Sequence, residues 1–88
     1  MSRASKHMGR VAELGCILCR SLDYGQTPAE VHHIGATSDR NPYLTIPLCP
    51  EHHRGATGFH GLGQRAFERT YRESELSLLA KTIEALHG

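Results

Sequence analysis

Two short ligand motifs limit the folds open to this chain, Cys16-x-x-Cys19 and Cys49-x-x-His52. Two such motifs can together supply the four donors of a tetrahedral zinc site. His53 could replace His52 in the second motif, and the residues alone leave this alternative open. In another interpretation the cysteines are unrelated small apolar side chains and the histidine lies at the surface. The spacing favours a structural zinc ion held by both motifs.

The size and composition of the chain also favour a metal-stabilised fold. It has 88 residues, of which 39% are hydrophobic, and it has no tryptophan. A chain of this length buries a modest fraction of its surface and often needs a disulfide or a metal besides its core. Its three cysteines cannot all form pairs, and no stretch resembles a signal peptide, which predicts thiolates in a reducing cytoplasm. We therefore expect one cytoplasmic domain over residues 1–88 that is flexible at 1–7.

Hydrophobic periodicity predicts a small α+β fold. Residues 8–14 have helical spacing and end at Gly15, whereas residues 29–34 and 43–48 look like two short strands that flank a loop. From Phe59 onward the pattern is helical again, with arginines on a separate face. An amphipathic closing helix is predicted over residues 76–86, with Ser74 as its N-cap.

The centre of the chain is rich in histidine, since five of the seven histidines lie between His32 and His60. His32 and His33 end the first predicted strand, and successive side chains of a strand point to opposite faces. One ring could then bind a metal while the other acts as a base near neutral pH. Taken alone, such a pair is more often structural than catalytic.

Two further histidines follow the second predicted strand. A hairpin followed by a helix would bring His53 and His60 back to His32, and three neutral imidazoles with open coordination positions suit a divalent cation that also binds a phosphate oxygen. The interval between His53 and His60 is long for a compact metal pair. His60 could instead be an ordinary helix-start residue or a zinc ligand.

The order of these motifs resembles the HNH, or ββα-metal, nucleases, and among them the phage-encoded, RecA-dependent nucleases of the recombination-enhancement (Ref) type. The motifs concerned are Cys16-x-x-Cys19, Val31-His-His-Ile34, Ile46-Pro-Leu-Cys-Pro-Glu-His-His53, Phe59-His-Gly-Leu-Gly63 and Ala66-Phe67, within residues 8–73. The resemblance implies a zinc-stapled ββα-metal (HNH/His-Me finger) unit framed by N- and C-terminal helices. The closing helix adds no diagnostic motif.

The resemblance also implies roles for individual residues. His32 would bind the catalytic metal and His33 would be the general base. His53 takes the place of a second catalytic-metal histidine, and His60 matches the additional helix histidine of a His-rich branch that includes the colicin nucleases. The implied cofactors are a catalytic Mg²⁺, Mn²⁺, Ni²⁺ or Zn²⁺ and a structural Zn²⁺ bound by Cys16, Cys19, Cys49 and His52, the last replacing a zinc-binding cysteine.

The chain departs from the family pattern at the middle asparagine, whose position falls near Leu44. Asn41 could take that role from a shifted register, or it could cap its own loop. A carboxylate that accepts the second ring N–H of His33 would hold its tautomer. Glu30 and Asp39 are the candidates, and the sequence does not distinguish them.

Charge and hydropathy bear on the partners of the chain. The net charge is only +1, so it lacks the basic excess of many nucleic-acid-binding domains. Arginines are the best candidates for phosphate contacts, although such a face can also be ordinary solvated surface; they are Arg54, Arg65, Arg69 and Arg72. No apolar run approaches the roughly 20 residues that a membrane span requires, so no membrane association is expected.

The histidine motifs and the family resemblance together predict a DNA endonuclease that hydrolyses a phosphodiester bond with one metal ion and His33 as base. The resemblance implies products with a 5′-phosphate and a 3′-hydroxyl, a RecA-type filament as partner, and a bacterial host cell. One alternative is a non-catalytic zinc module that binds nucleic acid or protein, which one zinc and no second metal would favour. Another is an accessory nuclease that cuts only when a partner presents its substrate.

Overall fold

The computed structural model describes residues 2–35 and 40–88, and within them the chain forms six helices and two strands. In chain order these are α1 (Arg3–Glu13), α2 (Ile17–Ser21), β1 (Glu30–His33), β2 (Thr45–Leu48), α3 (Pro50–Arg54), α4 (Phe59–Leu62), α5 (Gln64–Tyr71) and α6 (Glu75–His87). The small α+β class predicted from the sequence is confirmed.

The leading helix begins earlier than the hydrophobic pattern indicates. The Ser2 side chain accepts a hydrogen bond from the Ser5 backbone N–H at 3.1 Å and caps α1, as serine commonly does at helix N-termini. The described part of segment 1–7 is therefore helical from Arg3. The helix stops before Gly15, as predicted, because the backbone turns there through a φ of +77° that favours glycine.

The two strands form an antiparallel hairpin in which Glu30 lies opposite Leu48 and His33 lies opposite Thr45. Both are shorter than the sequence pattern predicts. The second is shortened because the backbone N–H of Leu44 donates to the Asn41 carbonyl at 3.1 Å, which closes a turn where the pattern suggested strand. β2 is buried along its whole length, so the hairpin lies inside the molecule.

The region after the hairpin differs from the prediction in two ways. A short helix, α3, follows Cys49 at once, with Pro50 in its first turn, where proline is well tolerated. The helix expected from Phe59 is divided into α4 and α5 at Gly63, which has a φ of +84°. The result is a chain of short helices rather than one long one.

Helix α4 packs directly on α3 because two glycines have no side chains between the backbones. A Cβ at Gly58 would lie 2.2 Å from the Glu51 carbonyl oxygen, and a Cβ at Gly61 would lie 2.1 Å from that of Gly55. Any larger residue at either position would push the helices apart. This close approach sets the distance between side chains on α3 and α4.

The core is shared between apolar side chains and cysteines. Its largest members are Leu18, Ile46, Leu48, Phe67 and Leu78, each no more than 1% exposed. The three cysteines are buried in the same cluster, and α6 packs on β2, α2 and α1. The hydrophobic core and the candidate zinc site are therefore one structural unit.

Candidate functional site

The first candidate metal centre, here called the cysteine cluster, contains Cys16, Cys19, Cys49 and His52. Cys16 caps α2, where its sulfur accepts a hydrogen bond from the Cys19 backbone N–H at 3.4 Å. Cys49 precedes α3 and His52 lies one turn into it. Each ligand motif thus folds into the first turn of a short helix, which points its two donors in the same direction.

The separations within the cysteine cluster fit a tetrahedral zinc ion. His52 Nδ1 lies 3.7, 3.5 and 3.4 Å from the sulfurs of Cys16, Cys19 and Cys49, and the Cys19 and Cys49 sulfurs are 3.9 Å apart. With Zn–S bonds of about 2.3 Å and Zn–N bonds of about 2.0 Å, tetrahedral angles require about 3.5 Å for sulfur to nitrogen and about 3.8 Å for sulfur to sulfur. The donor set is thus the right size for zinc.

Burial makes a bare thiolate unfavourable in this cluster. It raises the pKa of the Cys16 thiol to about 12, because a charge in an apolar interior loses its hydration. A bound cation would reverse this preference, since it favours the deprotonated ligand. The four side chains therefore have both the chemistry and the spacing of a structural zinc site.

The second candidate centre, here called the histidine cluster, brings together His32 of β1, His53 of α3 and His60 of α4. Their ligating nitrogens lie within 4.8 Å of one another. The ring centroids are 5.1 Å apart for His32 and His53, 5.5 Å for His32 and His60, and 5.0 Å for His53 and His60. The long interval between His53 and His60 is spanned by the close contact of α3 with α4.

The histidine cluster is open on one side. His32 is 3% exposed, His53 is half-buried and His60 is exposed. Three imidazoles arranged from the interior to the surface can hold a cation and still leave positions for a ligand from solvent. His52, by contrast, lies with the cysteines, so the two adjacent histidines of α3 belong to different clusters.

Carboxylates hold two of these rings. Glu30 Oε1 lies 2.9 Å from His53 Nδ1, and Glu30 also pairs with Arg54, whose Nη2 is 2.7 Å from Oε2. Hydrogen bonds from Arg54 and then His53 lower the pKa of Glu30 to about 2. Glu75 Oε2 lies 2.7 Å from His32 Nε2. Burial lowers the pKa of His32, although Glu75 opposes the effect, so a neutral ring suited to metal binding is favoured.

His33 has different neighbours from those the sequence suggested. The Arg40 guanidinium donates to His33 Nδ1 at 3.3 Å, and partial burial and then the Arg40 charge lower the pKa of His33. Glu30, one of its two candidate partners, contacts His53 instead. Asp39, the other, lies outside the described residues. His33 is thus neutral near neutral pH and carries a lone pair on Nδ1.

The asparagine that the family pattern left in doubt caps its own loop. Asn41 Oδ1 accepts from the Tyr43 backbone N–H at 2.9 Å, which is an ordinary turn-forming contact for asparagine. Ile34 then donates its backbone N–H to the Leu44 carbonyl at 2.9 Å. Asn41 therefore shapes the approach to β2.

The arginines proposed as phosphate contacts lie on the surface. Arg54 is paired with Glu30 but its side chain is 64% exposed, while the others are exposed on or just after α5; they are Arg65, Arg69 and Arg72.

Sequence reasoning missed Arg40 and Glu75, the two charged residues that contact His33 and His32. No helix among the described residues is long and apolar enough to span a bilayer.

Comparison with known proteins agrees with the motif order. A family model described as recombination enhancement, RecA-dependent nuclease matches residues 2–87, a longer range than the one that contains the diagnostic motifs. Comparison with curated proteins gives no match. The Ref-type prediction is confirmed, while the HNH assignment stays a prediction. The chain belongs to the family of recombination-enhancement, RecA-dependent nucleases.

Proposed function

We propose that the protein is a metal-dependent DNA endonuclease of the ββα-metal (HNH) type, with His33 as the general base for phosphodiester hydrolysis. The observation that carries the proposal is the convergence of His32, His53 and His60 in an open-sided cluster, in a chain of a nuclease family. The order β1, β2, α3, α4 brings the three histidines together from a hairpin and the two helices after it, which supports the ββα-metal assignment.

The two clusters would divide structure from chemistry. The cysteine cluster would hold zinc, and the histidine cluster would hold Mg²⁺, Mn²⁺, Ni²⁺ or Zn²⁺. When bound there, the cation supplies positive charge that stabilises the phosphate and the departing oxygen. Because imidazole ligands suit Ni²⁺ and Zn²⁺ better than Mg²⁺, we expect activity at lower concentrations of the transition metals.

His33 has the protonation state that a general base needs. A guanidinium can only donate hydrogen bonds, so His33 Nδ1, which faces Arg40 at 3.3 Å, must be the unprotonated nitrogen. This nitrogen would accept a proton from the attacking water once the Arg40 N–H has left it, because its single lone pair cannot serve both donors at once. Arg40, turned to an arriving phosphate, would then place its positive charge beside the base.

Contacts with DNA would extend outward from His33 and Arg40. Arg40 is nearest to His33, and the exposed arginines named above would bind more distant phosphates. The family name supports action on DNA in the company of a RecA filament. We propose products with a 5′-phosphate and a 3′-hydroxyl, and activity in the cytoplasm of a bacterial host.

The test is nicking of supercoiled plasmid by the full chain with Mg²⁺, Mn²⁺ or Ni²⁺ in turn, with and without a RecA filament on single-stranded DNA. We expect nicking that a chelator stops, that His33→Ala slows by about 100-fold or more, and that His87→Ala leaves unchanged; His87 is exposed near the end of α6 and serves as the control. Absence of nicking with every cation, with and without the filament, rejects the endonuclease.

Metal stoichiometry separates this proposal from a non-catalytic zinc module. The endonuclease requires a tightly held zinc and a second, exchangeable cation. Titration of the zinc-loaded chain with Ni²⁺ measures the second site directly. One zinc per chain and no second binding event would favour the zinc module.

A further inference from the structure

Glu75, the first residue of α6, makes a contact that its position in the helix does not require. Helix capping is already provided by Ser74 and Ser77, whose side chains exchange hydrogen bonds with each other's backbone N–H groups at 3.0 and 2.7 Å. The Glu75 carboxylate points instead to the hairpin, where Oε2 lies 2.7 Å from His32 Nε2. Its side chain is 16% exposed and that of His32 is 4% exposed.

The same carboxylate also reaches the backbone just beyond β1. Glu75 Oε1 accepts from the Gly35 N–H at 3.4 Å, so one side chain contacts both the His32 ring and the chain that follows the strand. These contacts join residues 43 and 40 positions apart. They connect α6 to the wall of the histidine cluster.

We infer that Glu75 is a positioning residue for His32: it holds the proton on Nε2 and turns Nδ1, with its lone pair, toward the cation of the histidine cluster. An ionised carboxylate only accepts hydrogen bonds, so the ring nitrogen facing it must donate. A histidine ring fixed in this way is a better metal ligand, because its orientation and tautomer need no adjustment when the metal binds. The inference rests on the proposed function.

His32 and His53 are thereby held through opposite ring nitrogens. Glu30 contacts Nδ1 of His53 at 2.9 Å, which leaves Nε2 free, whereas Glu75 contacts Nε2 of His32 at 2.7 Å, which leaves Nδ1 free. The exposed His60 has no such carboxylate partner among the described residues. α6 therefore contributes to metal binding although it supplies none of the three histidines.

The experiment compares Glu75→Ala, Glu75→Gln and the control Glu84→Gln in the full chain with zinc in the cysteine cluster. Glu84 is exposed on the same helix, so its variant carries the same charge change away from His32. Two quantities are measured: the Kd of Ni²⁺ at the second site, and the ring-nitrogen NMR signals of His32 before Ni²⁺ is added. The NMR signals report the position of the Nε2 proton without any activity measurement.

We expect Glu75→Ala to weaken Ni²⁺ binding by about 10- to 100-fold and to abolish the hydrogen-bonded Nε2–H signal of His32. Glu75→Gln should recover part of both, because the amide oxygen can accept the same proton without the charge. Glu84→Gln should match the unaltered protein. All variants should keep their zinc.

Unchanged Ni²⁺ affinity and an unchanged His32 signal in Glu75→Ala would overturn the role of Glu75 while leaving the proposed function intact. If the unaltered protein binds no Ni²⁺ beyond its zinc, the proposed function and this inference both fall. If Glu75→Ala does not fold, Glu75→Asp decides, since it keeps the charge but shortens the side chain by one methylene. An unchanged Kd in that variant would equally reject the inference.

Discussion

The cysteine cluster and the histidine cluster differ in burial and in donor type. All four donors of the first lie in the core, with Cys16 1% and His52 8% exposed, whereas the second extends from His32 at 3% exposure to the exposed His60. A closed shell of thiolates and one imidazole excludes substrate, while an open set of imidazoles admits it. Burial, more than the number of donors, is therefore the reason for proposing a structural role for the first cluster and a chemical role for the second.

The two clusters share one helix. His52 and His53 are consecutive residues of α3, and consecutive positions on an α-helix point in directions about 100° apart. One ring therefore turns to the cysteines and the other to His32. Any change that displaces α3 should disturb both clusters, so a useful test must change one donor at a time.

The largest effect is expected from removal of a cysteine. Cys16→Ser should leave the chain unfolded or nearly so, because structural zinc binding carries on the order of 10 kcal/mol of folding free energy. Zinc content and thermal unfolding measure this. Leu76→Ser, at a position that is 70% exposed, is the control and should stay folded. A soluble, folded and zinc-free Cys16→Ser protein would show that zinc in the cysteine cluster is not what stabilises the fold.

The second-largest effect is expected from loss of the proposed base, which should change the cleavage rate and leave the fold intact. His33→Ala should lower the cleavage rate by about 100-fold or more while fold, both metals and DNA affinity are retained, because His33 is proposed to bind no metal. Single-turnover cleavage and a DNA-binding assay measure the two properties separately. Cleavage at the original rate would remove His33 from the mechanism.

Loss of a proposed ligand should behave differently from loss of the base. His32→Ala and His60→Ala should weaken the second cation by at least about tenfold, since even second-shell changes cost that much, and should keep the zinc. Cleavage by both variants should recover partly when the cation concentration is raised. A higher cation concentration should not rescue His33→Ala, because a cation cannot replace a missing base.

A cation titration of the cleavage rate distinguishes these variants from His33→Ala. Rescue of His33→Ala rather than His32→Ala would reverse the roles of the pair. If His60→Ala ejects zinc, His60 belongs to the cysteine cluster and the separation of the two clusters fails.

The smallest effect is expected at an ion pair that belongs to neither cluster. Lys81 Nζ and Ser21 Oγ both donate to Glu73 Oε2, and Ser77 Oγ donates to Oε1 at 2.7 Å, which ties α2 to α6. Glu73→Gln should cost about 1 kcal/mol, far less than a cysteine change. Denaturant unfolding measures it.

The difference in unfolding free energy between the unaltered protein and Glu73→Gln should depend on pH in one direction. Burial works against the charged form of Glu73, but hydrogen bonds from Lys81, Ser77 and Ser21 outweigh it and lower the pKa of Glu73 below its ordinary value of 4.5. The stabilisation should therefore be complete above pH 4.5 and disappear as the pH falls through the lowered pKa. Comparing the variant with the unaltered protein at each pH cancels the effect of acid on zinc. A difference that grows on acidification would contradict the assignment.

Much of the local structure was predictable from single motifs. The helix stop at Gly15, the hairpin and the closing helix with Ser74 as N-cap follow from backbone preferences and hydrophobic periodicity, which act over a few residues. The split at Gly63 and helix α3 were missed, because one glycine or one proline is a weak signal within a longer pattern. Strand ends were also wrong by one or two residues, since side-chain capping by Asn41 competes with strand pairing.

The donor types, their spacing in each motif, and the placement of His32 and His33 on opposite faces can be read from the chain, because these properties depend on covalent order and on the periods of strand and helix. Which donors meet depends instead on how the elements pack. His60 reaches His53 because Gly58 and Gly61 let two backbones touch, and Glu75 reaches His32 because α6 folds back on the hairpin. Such contacts join residues far apart in the chain, and packing of the whole core selects them.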